Sequence, residues 1–153
     1  MSNLNENTNS ASAETRYFNQ YANGFGYLNG IRDISKEGEP ERYAAQISVL
    51  QGSADDVHYE YHDLIVSSEI VLGVLLEHRE AIETEDAKVL IHFNMANPRA
   101  NPFIYKQGKR TGELGASIGG FLTRIRTMKI NGELVHEDQR TFDDQSEDSQ
   151  SAQ

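Results

Sequence analysis

The residues of this sequence best suited to chemistry are aromatic and basic side chains that alternate along predicted strands. Tyr59 and Tyr61 are two positions apart, as are Arg124 and Arg126, so each pair is expected to share one strand face. Aromatic rings stack on unpaired bases and cations contact phosphates, and both are needed to bind single-stranded nucleic acid. The spacing therefore predicts a binding surface.

The other candidate residues belong to the same two chemical types. The candidates for base stacking are Tyr27, Tyr59, Tyr61, Phe103 and Tyr105. The candidates for phosphate contact are Lys106, Lys109, Arg110, Arg124 and Arg126. The alternative for each tyrosine is half-buried packing, and for each loop cation it is plain solvation. Arg124 and Arg126 are favoured because no acid stands beside them in the local sequence.

The sequence contains no recognisable catalytic pattern. Its five histidines have no metal-binding spacing, there is no cysteine, and no glycine segment ends in the GK[ST] of a phosphate-binding loop. His62 and Asp63 are adjacent on a predicted strand, so they should point to opposite faces. We expect a protein that is not an enzyme, with no catalytic residue, no metal and no cofactor.

Charge is distributed unevenly along the chain, whose formal net charge is −10. Residues 137–153 hold six acids against Arg140, whereas residues 99–129 hold seven Lys and Arg residues against Glu113 alone. A segment of net charge +6 is compatible with phosphate binding even though the whole chain is acidic.

The composition divides the chain into three parts. Residues 1–15 and the acidic residues 137–153 are predicted to be disordered tails, and residues 16–136 one domain. The first 13 residues lack the features of a secretory signal, and the longest apolar run is seven residues, at 70–76. These observations predict a cytoplasmic protein that does not contact a membrane.

Alternating and β-branched segments predict five strands, at 26–34, 42–51, 57–66, 88–95 and 117–130. A helix over 69–84, capped by Ser67 or Ser68, separates the third and fourth strands. Residues 97–115 are predicted to form a long excursion, for which a hairpin through Phe103-Ile104-Tyr105 is one alternative. A short strand at 133–136 is predicted to follow the Asn131-Gly132 turn. This order of elements predicts an all-β protein with one helix, built as a five-stranded OB-type barrel.

Residues 60–77 (EYHDLIVSSEIVLGVLLE) resemble the third strand and helix of bacterial single-stranded DNA-binding proteins. Residues 88–95 (KVLIHFNM) resemble that family's fourth strand, and residues 26–34 (GYLNGIRDI) its first. The sequence departs from the family in having no Trp and in placing Asp63 where a basic residue is expected. The resemblance implies an OB-fold, with Tyr61 in the position of a base-stacking aromatic.

A closer resemblance is to replication-associated proteins of integrative and conjugative elements, whose function is poorly defined. The matching pieces are Tyr17-Phe18 and the segments at 26–33, 50–59 and 106–112, of which the Gly52–Asp56 turn (GSADD) is the most specific. This resemblance implies a role in replication or transfer of a mobile element.

Two functions follow as hypotheses. The first is a non-enzymatic single-stranded DNA-binding protein, and RNA binding shares every sequence feature with it. The alternative is an OB-fold interaction module that recruits replication or conjugation proteins, through its surface or its acidic tail, without binding DNA. Because OB proteins that wrap single strands often pair through an edge strand, a homo-oligomer formed through residues 26–34 is also expected.

Overall fold

Apolar and polar residues alternate along the strands, and this alternation decides which side of each strand faces the core. In β2 (Tyr43–Ser53), Ala45, Ile47 and Val49 are buried, and Gln46 between them is exposed. Successive side chains of a strand point to opposite faces, so the predicted apolar face of this strand is confirmed.

A computed structural model describes residues 16–139, within which Gln20–Asp138 form one compact unit. The elements of that unit are β1 (Tyr21–Asp33), β2 (Tyr43–Ser53), β3 (Asp56–Val66), α1 (Glu69–Glu77), α2 (Arg79–Glu83), β4 (Val89–Ile104), β5 (Leu114–Ile130) and β6 (Glu133–Glu137). The protein is therefore mostly β-sheet with few helices. The predicted tail at 1–15 lies outside the described residues, as do residues 140–153 of the tail predicted at 137–153. The first residue of that second tail, Glu137, is instead the last residue of β6, and Asp138 belongs to the compact unit.

The six strands form one sheet in the order β3-β2-β1-β4-β5-β6, and neighbours in that order are antiparallel. One further pairing joins β3 to β5 in parallel, from His62 opposite Ile118 to Val66 opposite Leu122. Each of β1 to β4 therefore pairs with two other strands and β5 pairs with three, and the pairings run from β1 through β2, β3, β5 and β4 back to β1.

Every predicted strand is present, but β4 is about twice as long as predicted, and β1 and β5 both begin a few residues earlier than predicted. β4 continues to Ile104 and β5 begins at Leu114, so the predicted excursion is largely a paired β-hairpin, which we call the β4–β5 arm. The predicted helix begins where expected, because the Ser68 hydroxyl accepts a hydrogen bond from the Val71 N–H at 3.3 Å. It is interrupted at His78, which separates α1 from α2.

The core lies against the inner face of the sheet. Its largest fully buried side chains include Phe93, Ile47, Leu64 and Leu122, and Leu75 of α1 packs among them. Removing such side chains from water is the main favourable term in folding.

One turn and one irregular strand follow from backbone requirements read from the sequence. Asn131 and Gly132 have φ values of 53° and 87°, which is the geometry of the tight hairpin predicted between β5 and β6. Gly26 lies where β1 approaches β2 so closely that a Cβ would be 2.6 Å from Ile47 Cγ2. The Leu28–Gly30 segment contains a register irregularity, as the glycines of this strand predicted.

The strand on which the homo-oligomer prediction depends is already paired. β1 pairs with β2 from Gly26 to Asp33 and with β4 from Tyr21 to Tyr27, and α2 packs against it. The oligomeric state stays a prediction.

Candidate nucleic-acid interface

Three tyrosines lie together on the outer face of β1, β2 and β3. Tyr61 pairs with Ser48 across β3 and β2, and Ser48 pairs with Tyr27 across β2 and β1. The small Ser48 therefore leaves a gap between two aromatic rings. Tyr61 is 58% exposed and Tyr59 is 50% exposed, so both rings are accessible to a ligand.

The gap opens into a groove that continues along the sheet. Its first part, about 330 Å³, is lined by the three tyrosines and by Lys88 at its rim. A second part of about 350 Å³ shares Asn29 and Tyr61 with the first and ends at Phe103. Because neighbouring parts share wall residues, we treat them as one feature and call it the aromatic groove.

A third part of the aromatic groove, about 160 Å³, shares Asp63 and Asn101 with the second and reaches Arg32 and Arg99. The groove therefore runs along the β2–β3 face and beneath the β4–β5 arm. Between its aromatic walls lie three side-chain amides, which can both donate and accept hydrogen bonds: Asn29, Gln46 and Asn101.

The β4–β5 arm presents its own aromatic cluster. The rings of Phe103 and Tyr105 meet edge to face with centroids 5.0 Å apart, and the Arg110 guanidinium lies 4.5 Å from the centroid of Tyr105. Both rings lie over Gly115, where a Cβ would be 2.6 to 2.8 Å from ring atoms. Glycine at this position is therefore what allows both rings to approach the backbone of the arm so closely.

The three predicted cations of the arm are in different environments. Lys106 and Lys109 are exposed on the loop. Arg110 donates through Nε to Glu113 at 3.0 Å and through Nη1 to the Tyr105 hydroxyl at 3.0 Å. Its hydrogen bond to Glu113 raises the pKa of Arg110. The lysines thus suit a phosphate contact better than Arg110, which holds the loop together.

The prediction that Arg124 has no acid beside it is wrong. Arg124 is 3% exposed and donates through Nε to Asp138 at 2.5 Å, because the chain after β6 returns alongside β5. A guanidinium buried in this way cannot reach a phosphate, so Arg124 is not a candidate contact. Arg126 is half-buried, and its carbonyl accepts the Asp138 N–H at 2.8 Å.

An ion pair lies at one end of the aromatic groove. Arg32 donates through two nitrogens to the two carboxylate oxygens of Asp63, at 2.9 and 2.8 Å. The hydrogen bond to Asp63 raises the pKa of Arg32, which stays charged. The pair as a whole adds no net charge to the groove.

His62 and Asp63 point to opposite faces, as predicted. His62 is 9% exposed, its Nδ1 lies 3.3 Å from the Glu60 carbonyl oxygen, and burial lowers its pKa. No three His, Asp or Glu side chains among residues 16–139 are grouped so that they could hold a metal ion.

Several residues of this surface were missed from the sequence. Lys88, Arg99 and the three amides carry no motif of their own and come together only in the folded sheet. Phe25 could have been found, because it precedes Tyr27 by two positions and so shares its strand face.

The fold and this site define an all-β protein with an aromatic, amide-lined groove on its outer face. The chain belongs to the DUF3577 family, described as proteins of unknown function, whose model matches residues 11–144. No curated protein and no solved structure matches the chain. Among the described residues, no helix is long and apolar enough to cross a membrane.

Proposed function

We propose that this protein is a non-enzymatic single-stranded DNA-binding protein built on an OB-type barrel. The barrel is supported by the pairings that run from β1 through β2, β3, β5 and β4 back to β1, with helices between β3 and β4. The resemblance to proteins of integrative and conjugative elements suggests replication or transfer of a mobile element as its setting.

The position of the aromatic groove is the observation that supports this function best. OB-folds bind oligonucleotides on the face of strands 2 and 3 and with the loop between strands 4 and 5. The aromatic groove follows β2 and β3 and passes under the β4–β5 arm. Exposed Tyr59 and Tyr61 would stack on bases, and Lys88, Arg99, Lys106 and Lys109 would contact phosphates.

The groove favours a single strand over a duplex. Its walls include half-exposed aromatic rings, and only an unpaired base can stack on such a ring. Its three amides are placed between the rings, where they would meet the edges of such bases. A base-paired duplex presents neither free base faces nor free pairing edges.

Titration of a fluorescent oligothymidine of about 16 nucleotides, the upper end of an OB site, tests the proposal with the full chain. Binding should weaken as salt rises from about 50 to 200 mM, since phosphate contacts release counterions. A duplex of the same length should compete poorly. Absence of binding at low salt would overturn the proposal, and an RNA competitor of equal strength would redirect it to single strands in general.

The second candidate is an OB-fold module that recruits replication or conjugation proteins without binding DNA. The described residues 16–139 hold 18 acids against 13 Lys and Arg residues, and four of the arginines are paired with acids: Arg32, Arg79, Arg110 and Arg124. This reading is supported if the oligothymidine titration is flat while a partner is retained by the full chain and lost when residues 140–153 are removed.

A further inference from the structure

A second exposed aromatic pair lies outside the aromatic groove. Phe25 of β1 pairs with His92 of β4, and their rings stack with centroids 4.2 Å apart and an angle of 15° between planes. Phe25 nevertheless keeps 50% of its exposure.

The strand pairing explains why Phe25 stays open. β1 pairs with β2 only from Gly26 onward, so Phe25 lies just beyond the point where the two strands separate. His92 covers the ring from the β4 side, and within residues 16–139 no ladder partner lies on its β2 side. One side of the ring is therefore available to a flat ligand.

The pair is continuous with the aromatic groove. Phe25 and Tyr27 are two positions apart and share the outer face of β1, at a distance of about 7 Å along the strand. Tyr27 lines the first part of the groove. A strand of nucleic acid that leaves the groove at Tyr27 and continues across β1 therefore meets Phe25 next.

The charge beside the pair also suits a nucleotide. Burial and the nearby Arg126 guanidinium lower the pKa of His92, so its imidazole is neutral at pH 7. The positive charge near the pair is therefore that of Arg126. The exposed Phe25 ring and a cation near it are the two components that single-strand binding requires.

We propose that Phe25, backed by His92, is a second base-stacking site, which takes a base of the same single strand beyond the aromatic groove, with Arg126 beside its backbone. This inference rests on the proposed function and extends it: the nucleic acid crosses from the β2–β3 face over β1 to the β4–β5 side. The bound length is then greater than the groove alone would take.

The absence of tryptophan from the chain provides a direct test, because one introduced Trp is the only such fluorophore. Phe25→Trp and Tyr61→Trp place it at the second site and in the aromatic groove. Leu134→Trp, at a 48% exposed position of β6, is the matched control. Stacking of a base quenches indole emission, so oligothymidine of about 16 nucleotides should quench the first two variants and leave the control unchanged.

The second measurement compares oligothymidine affinity with and without the Phe25 ring. Phe25→Leu keeps an apolar side chain but cannot stack, and it should weaken binding of the longer oligothymidine by roughly 5-fold or more. An oligothymidine of about 8 nucleotides, short enough for the groove alone, should lose much less. Tyr61→Leu should weaken binding of both lengths.

The outcomes separate the two proposals. Quenching at position 61 without quenching at position 25, together with unchanged affinity of Phe25→Leu, would overturn the second site and leave the proposed function intact. Absence of binding by the unaltered protein would overturn both. Quenching at both positions with a length-dependent loss in Phe25→Leu supports both.

Discussion

Arg124 donates through Nε to Asp138 at 2.5 Å, and the two side chains keep only 4% and 11% of their exposure. Asp138 also donates its N–H to the Arg126 carbonyl at 2.8 Å, so the residue after β6 is joined to β5 twice. Loss of one partner leaves the other charge buried and uncompensated. We therefore expect Arg124→Ala to lower the free energy of unfolding in urea by about 3–5 kcal/mol.

The double variant Arg124→Met with Asp138→Leu is the control for this pair. Replacing both charges by apolar side chains removes the uncompensated charge, so much of the lost stability should return. Folded Arg124→Ala should bind oligothymidine as the unaltered protein does. An Arg124→Ala protein of normal stability and weakened binding would contradict the structural role.

Tyr61 is the most exposed ring of the aromatic groove and the one with the clearest predicted role. Stacking on one base is worth about 1–3 kcal/mol, so Tyr61→Ala should raise the Kd for oligothymidine roughly 5- to 150-fold. Tyr61→Phe keeps the ring and should bind nearly normally. Equal affinities of Tyr61→Ala and the unaltered protein in a fluorescence titration would show that this ring does not stack.

The Arg32–Asp63 pair predicts a variant that binds more tightly. Asp63→Asn removes the acid and leaves the Arg32 charge available to a phosphate. Affinity for oligothymidine should rise, and the dependence of log Kd on log salt should steepen by about 0.7, the value for one further contact on a single strand. Asp86→Asn is the control, because it removes the same charge at an exposed position outside the groove lining. It should change neither the affinity nor its dependence on salt. Weaker binding by Asp63→Asn would place the nucleic acid elsewhere.

A substitution at Gly115 is expected to weaken binding while leaving stability nearly unchanged. The added methyl of Gly115→Ala would lie 2.6 to 2.8 Å from Tyr105 and Phe103 ring atoms, so both rings must move. They lie on the arm and away from the core, so the melting temperature should change little while oligothymidine affinity falls. Gly73→Ala, in open space on α1, should raise stability by about 0.5–1 kcal/mol and leave binding unchanged. Full binding by Gly115→Ala would exclude the arm from the site.

His62 predicts a dependence of stability on pH. Burial lowers the pKa of His62 below its usual value of 6.5, so the unfolded chain takes up the proton more readily than the native protein. The free energy of unfolding should therefore decrease as pH falls through about 6.5 toward the native pKa. His62→Gln should flatten this slope in urea titrations at several pH values. Part of the slope should remain, because burial and Arg126 shift the pKa of His92 in the same direction.

The order of the elements could be predicted from the sequence because each strand alternates and Ser68 marks the start of the helix. The length of β4 could not, because Pro98 and Pro102 argue against a strand. In the structure, Pro98 lies at a register irregularity and Pro102 pairs with Ala116 where, among the described residues, β4 has a strand on one side only. A proline is tolerated in a strand at such positions.

The exposure of the stacking candidates was predicted more reliably than the exposure of the candidates for phosphate contact. Outward tyrosines follow from alternation alone, and Tyr59 and Tyr61 are on one exposed face as expected. The partner of Arg124 could not be predicted, because Asp138 had been assigned to a disordered tail. Phe25 was missed because the sequence predicts a first strand that begins at Gly26, whereas β1 begins at Tyr21.

The parallel pairing of β3 with β5 has a consequence for synthesis of the chain. His62 pairs with Ile118, so one edge of β3 cannot be covered until more than fifty further residues have left the ribosome. During that interval an edge rich in Val, Ile and Tyr is free to pair with other nascent chains. We expect refolding yield to fall with protein concentration more steeply than in a sheet closed by neighbouring hairpins.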